Sequence, residues 1–431
     1  MNIIIAILIL GFIIIIHELG HFLLAKKNGV TVTEFSVGMG PRIASFEKNG
    51  TRYSLKLLPF GGSCMMLGED ETIEDEGAFN KKGVWARFSI LFAGAFFNFL
   101  LAIFLSLIVL GADGVDLPDI TAVEKDSPAE KAGLAVGDRI TEVDGSTIHF
   151  SRELMYHFYF DPVTQEPVEV KYIRDGEKYT ATMTPNQIVK HILGCSYTPS
   201  NSEPATLVEI GAGYPLEKAG IVVGDTIVGI DGTEVRTGKE LSEYLDANPL
   251  SEKPVSVTYV HEGEERTVSV QPQLYISAYQ LGWSYNYGTQ KVSPLNVIKY
   301  SFYELKFNVV STIQNIGFLI SGKVGMNEIA GPVGIVNMVG DAVDQSKEYG
   351  VRTTLLTLAE FTILISANLG VVNLLPIPAL DGGRLVFVLI EAIRKKPIPK
   401  EKEAIVHLVG MAALMLLMVF VLFNDIKNIF R

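Results

Sequence analysis

The stretch Ile13–Leu24 reads IIIIHELGHFLL. Two histidines and a glutamate follow four isoleucines, inside an apolar run that starts at residue 3 and is stopped by Lys26 and Lys27. A helix over that run, ending at Ala25, is long enough to cross a bilayer. Ionisable side chains at membrane depth are costly and mark a functional site by default. H-E-x-x-H on a helix puts His17 and His21 on one face, where both imidazoles reach one metal ion. Glu18 lies about 100° around the helix from His17, close to such an ion and not on it, as suits a general base for an attacking water. Zn2+ is the expected cofactor, because it favours nitrogen ligands in four-coordinate sites, and a catalytic site of this type requires a third protein ligand. His17 is roughly 12 Å from the Ala25 end at helical rise.

The rest of the composition agrees with a membrane protein that carries large soluble parts. The 431 residues are 48% hydrophobic, with mean hydropathy +0.29. The net charge of −12 argues against a nucleic-acid partner. Cys64 and Cys195 stand far apart in segments of different character, so no disulfide framework is expected. The N-terminus has no positive n-region and no small-residue cleavage site ahead of HELGH, so the first segment reads as a retained helix. Further apolar runs at Phe88–Leu110, Leu355–Leu375 and Ala404–Phe423 bring the transmembrane count to four. Lysines and arginines cluster at 26–27, 81–87 and 394–402, which assigns those ends to the cytoplasm. The region 112–350 and both termini then face outside.

Between the first two spans, FSVGMGPRIASFEKNGTRYSLKLLPFGGSCMML alternates apolar and polar residues and turns at Asn49-Gly50, which reads as β-hairpins. The middle of the chain repeats. SPAEKAGLAVGDRITEVDG at 127–145 returns as YPLEKAGIVVGDTIVGIDG at 214–232, an offset of 87 residues. Each copy is followed by a short helical stretch and two alternating strands, so two small β-rich domains are expected. Residues 295–320 place Ile298, Phe302, Leu305, Val309, Ile313, Ile316 and Ile320 at helical spacing, with Lys299, Glu304 and Lys306 against a full span. They read as an amphipathic helix lying at the outer membrane interface.

The third ligand is sought in NLLPIPALDGGRL, 373–385. Pro376 and Pro378 break the third span, and broken backbone at membrane depth is tolerated where it lines a cavity. Asp381 is costly there unless it binds a cation, which makes it the candidate to complete a His2Asp set; the alternative is an ordinary Asp-Gly turn at the membrane boundary. Asn373 could hydrogen-bond a substrate backbone or make a helix–helix contact. His149, His157, His191 and His261 read as surface or packing residues, and His407 as a packing or boundary residue. Met411, Met415 and Met418 read as lipid-facing or packing.

H-E-x-x-H in the first span, N-x-x-P-x-P-x-L-D-G in the third and the repeats between resemble the site-2 protease family of intramembrane zinc metalloproteases, over nearly the whole chain. The repeats resemble PDZ domains through A-G-x-x-x-G-D-x-I-x-x-x-D-G. The paired layout looks like the bacterial regulator-of-sigma-E protease branch. FSVGMGP and LLPFGG resemble that branch's membrane-associated β segment, and AGAFFN (93–98) its second-helix motif. The resemblance implies that His17, His21 and Asp381 bind zinc and that Glu18 is the catalytic acid/base; on the residues alone, the broken helix at Asn373, Pro376 and Pro378 would hold an unwound substrate. The resemblance also implies cleavage within single-span membrane proteins, of the anti-sigma factor or remnant signal peptide type, in a bacterial inner or cytoplasmic membrane.

The expected fold is a polytopic α-helical membrane protein with four transmembrane helices, a membrane-associated β segment and two PDZ-like domains. The expected parts are an N-terminal transmembrane half at 1–111, PDZ-like domains at 112–190 and 203–275, a juxtamembrane region at 294–350 and a C-terminal transmembrane half at 351–431. The PDZ-like domains would bind a peptide terminus of a substrate or envelope protein, filter substrates by size, or act as spacers. An edge strand near Thr51–Leu58 would pair with an unwound substrate. A catalytically silent scaffold has no need of Glu18, and a transporter is disfavoured because no inverted repeat is apparent.

Overall fold

A computed structural model describes residues 2–325 and 331–429. The chain divides into two compact units, residues 1–115 with 289–431, and residues 116–288. The first unit is helical apart from one hairpin. Its helices are α1 (Asn2–Lys27), α2 (Val84–Asp113), α3 (Pro294–Ile320), α4 (Pro332–Lys347), α5 (Val351–Leu374), α6 (Asp381–Arg394) and α7 (Lys400–Ile429). Four of them, α1, α2, α5 and α7, are long and apolar enough to cross a membrane. Such helices satisfy their own backbone polar groups, which lipid cannot do. Small residues set their spacing: a Cβ on Gly20 of α1 would fall 2.8 Å from the Ala93 carbonyl carbon of α2.

The segment after α5 contains a helix where the sequence reading has only a connection. α6 is too short to span, and it buries Gly382, Gly383, Leu385 and Val388 against its neighbours. α3 also differs from expectation. It does not lie apart from the bundle but packs along α2 and α5, burying Ser301, Asn308, Ser311 and Thr312. Thr312 donates to Asn368 Oδ1 of α5 at 2.5 Å. Ile298, Phe302, Ile313 and Ile320 of the expected apolar stripe are exposed. Leu305 of the same stripe packs against Ala102, Val109, Ile363 and Ala367, so the stripe is divided between an exposed part and a part that meets the bundle. Residues 326–330 of the expected juxtamembrane region lie outside the described residues.

The hairpin joins β1 (Val32–Lys48) to β2 (Thr51–Met66) through Asn49 and Gly50, both at positive φ, as a type I′ turn requires. Each strand bends near a glycine and pairs twice. Phe35 stands opposite both Cys64 and Tyr53, and Tyr53 opposite both Phe35 and Phe46. The sheet therefore has four segments, ordered 62–66, 32–37, 51–58 and 42–48. Thr51–Leu58, expected at an edge, is interior. Alternation reveals the two faces of a strand but not its neighbours. The edges are 42–48 and 62–66.

The second unit holds two β lobes. The first buries Ile120, Ile140, Leu154 and Val170 with Leu281. The second buries Leu207, Ile227, Leu241 and Val257 with Leu193. Strand Trp283–Tyr285 pairs with Ile120–Val123 in the first lobe, as Cys195–Tyr197 pairs with Ala205–Ile210 in the second. Leu281 O accepts from the Ala129 amide as Leu193 O accepts from Leu216. The repeat thus extends to LGCSY at 193–197 and LGWSY at 281–285. The second lobe is inserted within the first, and the ranges 112–190 and 203–275 omit one strand of each. A three-residue strand is too short to read by alternation. Strands Asn186–Ile192 and Gln273–Gln280 pair as a ribbon. His261, read as surface or packing, pairs with buried Asp225 at 2.6 Å where the first lobe pairs Arg174 with Asp138.

The nesting has a direct test. Leu281→Ala is expected to destabilise the first lobe by about 2–5 kcal/mol and leave the second unchanged, and Leu193→Ala to do the reverse. Hydrogen exchange resolved by peptide reads both, and parallel effects on the two lobes would contradict the arrangement.

Candidate metal centre

α1 buries both histidines of the H-E-x-x-H motif. Their Nε2 atoms lie 3.1 Å apart. Asp381 Oδ2 lies 3.0 Å from His17 Nε2 and 3.2 Å from His21 Nε2. Ligand atoms of a tetrahedral zinc site stand about 3.3 Å apart for bonds of 2.0–2.2 Å, so two nitrogens and one oxygen are already spaced for a shared ion. No other group of three or more candidate ligands occurs among the described residues.

α2 forms the wall of this site through Ile90, Gly94 and Asn98, spaced four apart and so on one face. The Ile90 carbonyl accepts from His21 Nδ1 at 2.8 Å, which turns Nε2 toward Asp381. Asn98 is fully buried, with its amide nitrogen 3.4 Å from His17 Nδ1. Asn98 Oδ1 has no hydrogen-bond partner among the described residues. With the amide turned over, Oδ1 accepts from His17 Nδ1–H. Both imidazoles then hold their protons away from the centre, as zinc ligation through Nε2 requires. At Gly94 a Cβ would fall 2.6 Å from His17 Nε2 and closer still to His21 Nε2. Glycine keeps that space open, and the donor set fits zinc.

Asp381 is the first residue of α6. A Cβ at Gly382 would fall 2.5 Å from the Leu374 carbonyl carbon, and one at Gly383 the same distance from the Ile377 oxygen. The two glycines let α6 start against the broken end of α5, which brings the carboxylate to α1. Glu18 does not join this cluster. It faces the hairpin, and a Cβ at Gly62 would lie 3.4 Å from its Cγ. Asn373 is half-buried in the last turn of α5. Pro376 is exposed, and Pro378 packs on Gly410 of α7.

A cavity of about 460 Å³ lies near this end of the bundle, lined by Glu69, Arg87, Arg384 and Glu391 among others. Arg384 donates to Glu69 at 2.6 Å and to Asp70 at 2.7 Å, tying α6 to the loop after the hairpin. Burial pushes the Glu69 carboxyl upward, and Arg384 opposes the shift. Gly94 and Asn98 were visible in AGAFFN as a motif without a role, and their four-residue spacing was the only signal. Arg384 carried none.

Residues 5–417 match Peptidase family M50. The chain belongs to that family, the site-2 proteases. It is 36% identical over 448 residues to the zinc metalloprotease RasP of Bacillus licheniformis, covering all of both chains. It is 33% identical over 443 residues to the zinc metalloprotease RasP of Geobacillus kaustophilus, covering 98% of this chain and 97% of that one. The Bacillus subtilis relative, 32% identical over 437 residues and 98% of each chain, is the regulator of sigma-W protease RasP. The protein is a multi-pass membrane zinc metalloprotease of the regulated-proteolysis type.

Gly94→Ala is expected to lower bound zinc by at least tenfold while the helix content stays unchanged, since only the cradle is filled. Metal analysis and circular dichroism of the purified variant check this, and a full zinc complement would exclude α2 as the wall of the site.

Proposed function

We propose that this protein hydrolyses peptide bonds within transmembrane segments of single-span membrane proteins, with His17, His21 and Asp381 holding zinc. The observation that carries this reading is the convergence of three ligand atoms within 4.8 Å on elements that include a helix of membrane-crossing length. Zinc bound there would lower the pKa of a water and polarise the scissile carbonyl. Glu18 takes the proton from the attacking water and delivers it to the leaving amine, because it adjoins the histidines without being a ligand. The Asn373 side chain makes no hydrogen bond among the described residues, so its amide is left for a substrate backbone. Pro376 is exposed beside it. Pro378, engaged with Gly410, supports the turn instead.

A helical substrate hides its peptide bonds and must unwind before cleavage. Strand segment 62–66 pairs only with 32–37 among the described strands, and it adjoins Glu18 through Gly62. An unwound substrate added to that edge would pass the general base. The lobes of the second unit are read as PDZ-like and extracytoplasmic, in a bacterial cytoplasmic membrane, with the lysine-rich helix ends inside. The second lobe has a groove of about 880 Å³ lined by Leu193–Tyr197, Leu241 and Leu245. It suits the end of an extended peptide from a substrate or envelope protein. Anti-sigma factors and remnant signal peptides are the substrate classes that the family resemblance favours.

Glu18→Gln is expected to keep the parent's zinc and to lose cleavage of a model single-span substrate by about 10²–10⁴-fold. Zinc analysis and a gel assay in detergent check it, and residual full activity would remove Glu18 from the mechanism. Ser63→Pro in the edge segment is expected to cut the cleavage rate with zinc retained. An unchanged rate would reject strand addition at that edge.

A further inference from the structure

α7 is the least buried of the four membrane-crossing helices, yet it meets the turn before Asp381 at two points. His407 Nδ1 accepts a hydrogen bond from the Ala379 amide at 2.8 Å. One turn further on, Gly410 is buried against Pro378, where a Cβ would fall 2.7 Å from the Pro378 oxygen. Ala379 has φ +76°, in a left-handed region that residues with a Cβ rarely adopt. Asn and Asp settle there with help from their own side chains, and alanine has no such help. The turn Ile377–Leu380 is closed by the Leu380 amide on the Ile377 carbonyl at 3.2 Å, with Pro378 at its second position, so the strain falls on Ala379, and the contact that reaches the Ala379 amide comes from α7. The His407 ring is itself held beside Phe387 of α6, centroids 5.6 Å apart. Asp381 begins that same helix.

We propose that His407 is a positioning residue for Asp381, so that α7 sets the place of the third metal ligand without touching the metal. Holding the Ala379 amide requires an unprotonated Nδ1 with the proton on Nε2. The far end of α7 is fixed independently. Asp425 accepts from the amides of Gly331, Val333 and Gly334 at the start of α4, at 2.9–3.1 Å. α7 therefore spans two attachments, one to α4 and one to the ligand-bearing turn. A tilt that parts His407 from Ala379 releases the strained turn and lets the carboxylate leave the two imidazoles.

This inference rests on the reading of Asp381 as a zinc ligand, and one set of measurements separates the two. Zinc affinity is measured by chelator competition on the full chain in detergent, for the parent, Asp381→Ala, His407→Ala, His407→Asn and the double variant His407→Ala with Ala379→Gly. His407→Ala is expected to weaken zinc by about tenfold, the lower end of the range for losing a group bonded directly to a ligand. His407→Asn keeps an acceptor at the Nδ1 position and stays near the parent. Glycine at 379 tolerates the turn unaided and recovers part of the loss. The visible spectrum of the cobalt-substituted protein should change in His407→Ala and return in His407→Asn. Parent-like zinc affinity in His407→Ala, or equal losses in His407→Ala and His407→Asn, would overturn the positioning role. Parent-like affinity in Asp381→Ala would instead overturn the ligand assignment beneath it.

Discussion

A carboxylate and two imidazoles packed together among apolar helices need compensation, and the helical unit is arranged around meeting that condition. His17, His21 and Asp381 converge from helices far apart in the chain. α2 contributes a carbonyl, an amide side chain and a gap where a side chain would otherwise stand. The close approach of α1 and α2 at Gly20 and Gly94 is therefore a demand of the site as well as of packing. The two glycines after Asp381 answer the same demand from the third side, since any larger residue would hold α6 away from the end of α5.

The same solvent explains the outward surfaces. α7 exposes Leu408, Leu416 and Phe423, and α3 exposes Ile298, Phe302 and Ile313 while burying serine, threonine and asparagine. In water such a helix would be inside out. Against lipid there is little gain in burying an aliphatic side chain, and hydrogen bonds such as Thr312 to Asn368 become the specific contacts between helices. The units differ in this respect: the lobes of residues 116–288 have aliphatic cores of the aqueous kind.

Much of this was legible in the sequence, for identifiable reasons. HELGH stood out because ionisable groups rarely follow four isoleucines. Asp381 stood out because prolines broke an apolar span just ahead of it. The Asn49-Gly50 turn and the 87-residue repeat were written in residue types that turns require. What escaped depends on who sits next to whom. Periodicity finds an apolar stripe on α3 but not whether it meets protein or lipid. Alternation in Thr51–Leu58 does not reveal strands on both sides. Asn98 and His407 are single polar residues in apolar runs, and their partners, His17 and Ala379, come from other helices. The strands at 195–197 and 283–285 are too short to carry a pattern, although LGCSY and LGWSY repeat in plain view.

The insertion of one lobe within the other also imposes an order on biosynthesis. The second lobe is continuous from Leu193 to Val270 and can close as soon as it has been made. The first lobe cannot, because Ile120 must wait for Tyr285. At about 5–20 residues per second that wait lasts roughly ten to thirty seconds. During it, the open edge of Ile120–Val123 and the apolar residues that await Leu281 stay uncovered. A nascent chain of this design is exposed at its earlier lobe while its later lobe is already safe, so the vulnerable interval ends only when Leu281–Tyr285 have emerged to close it.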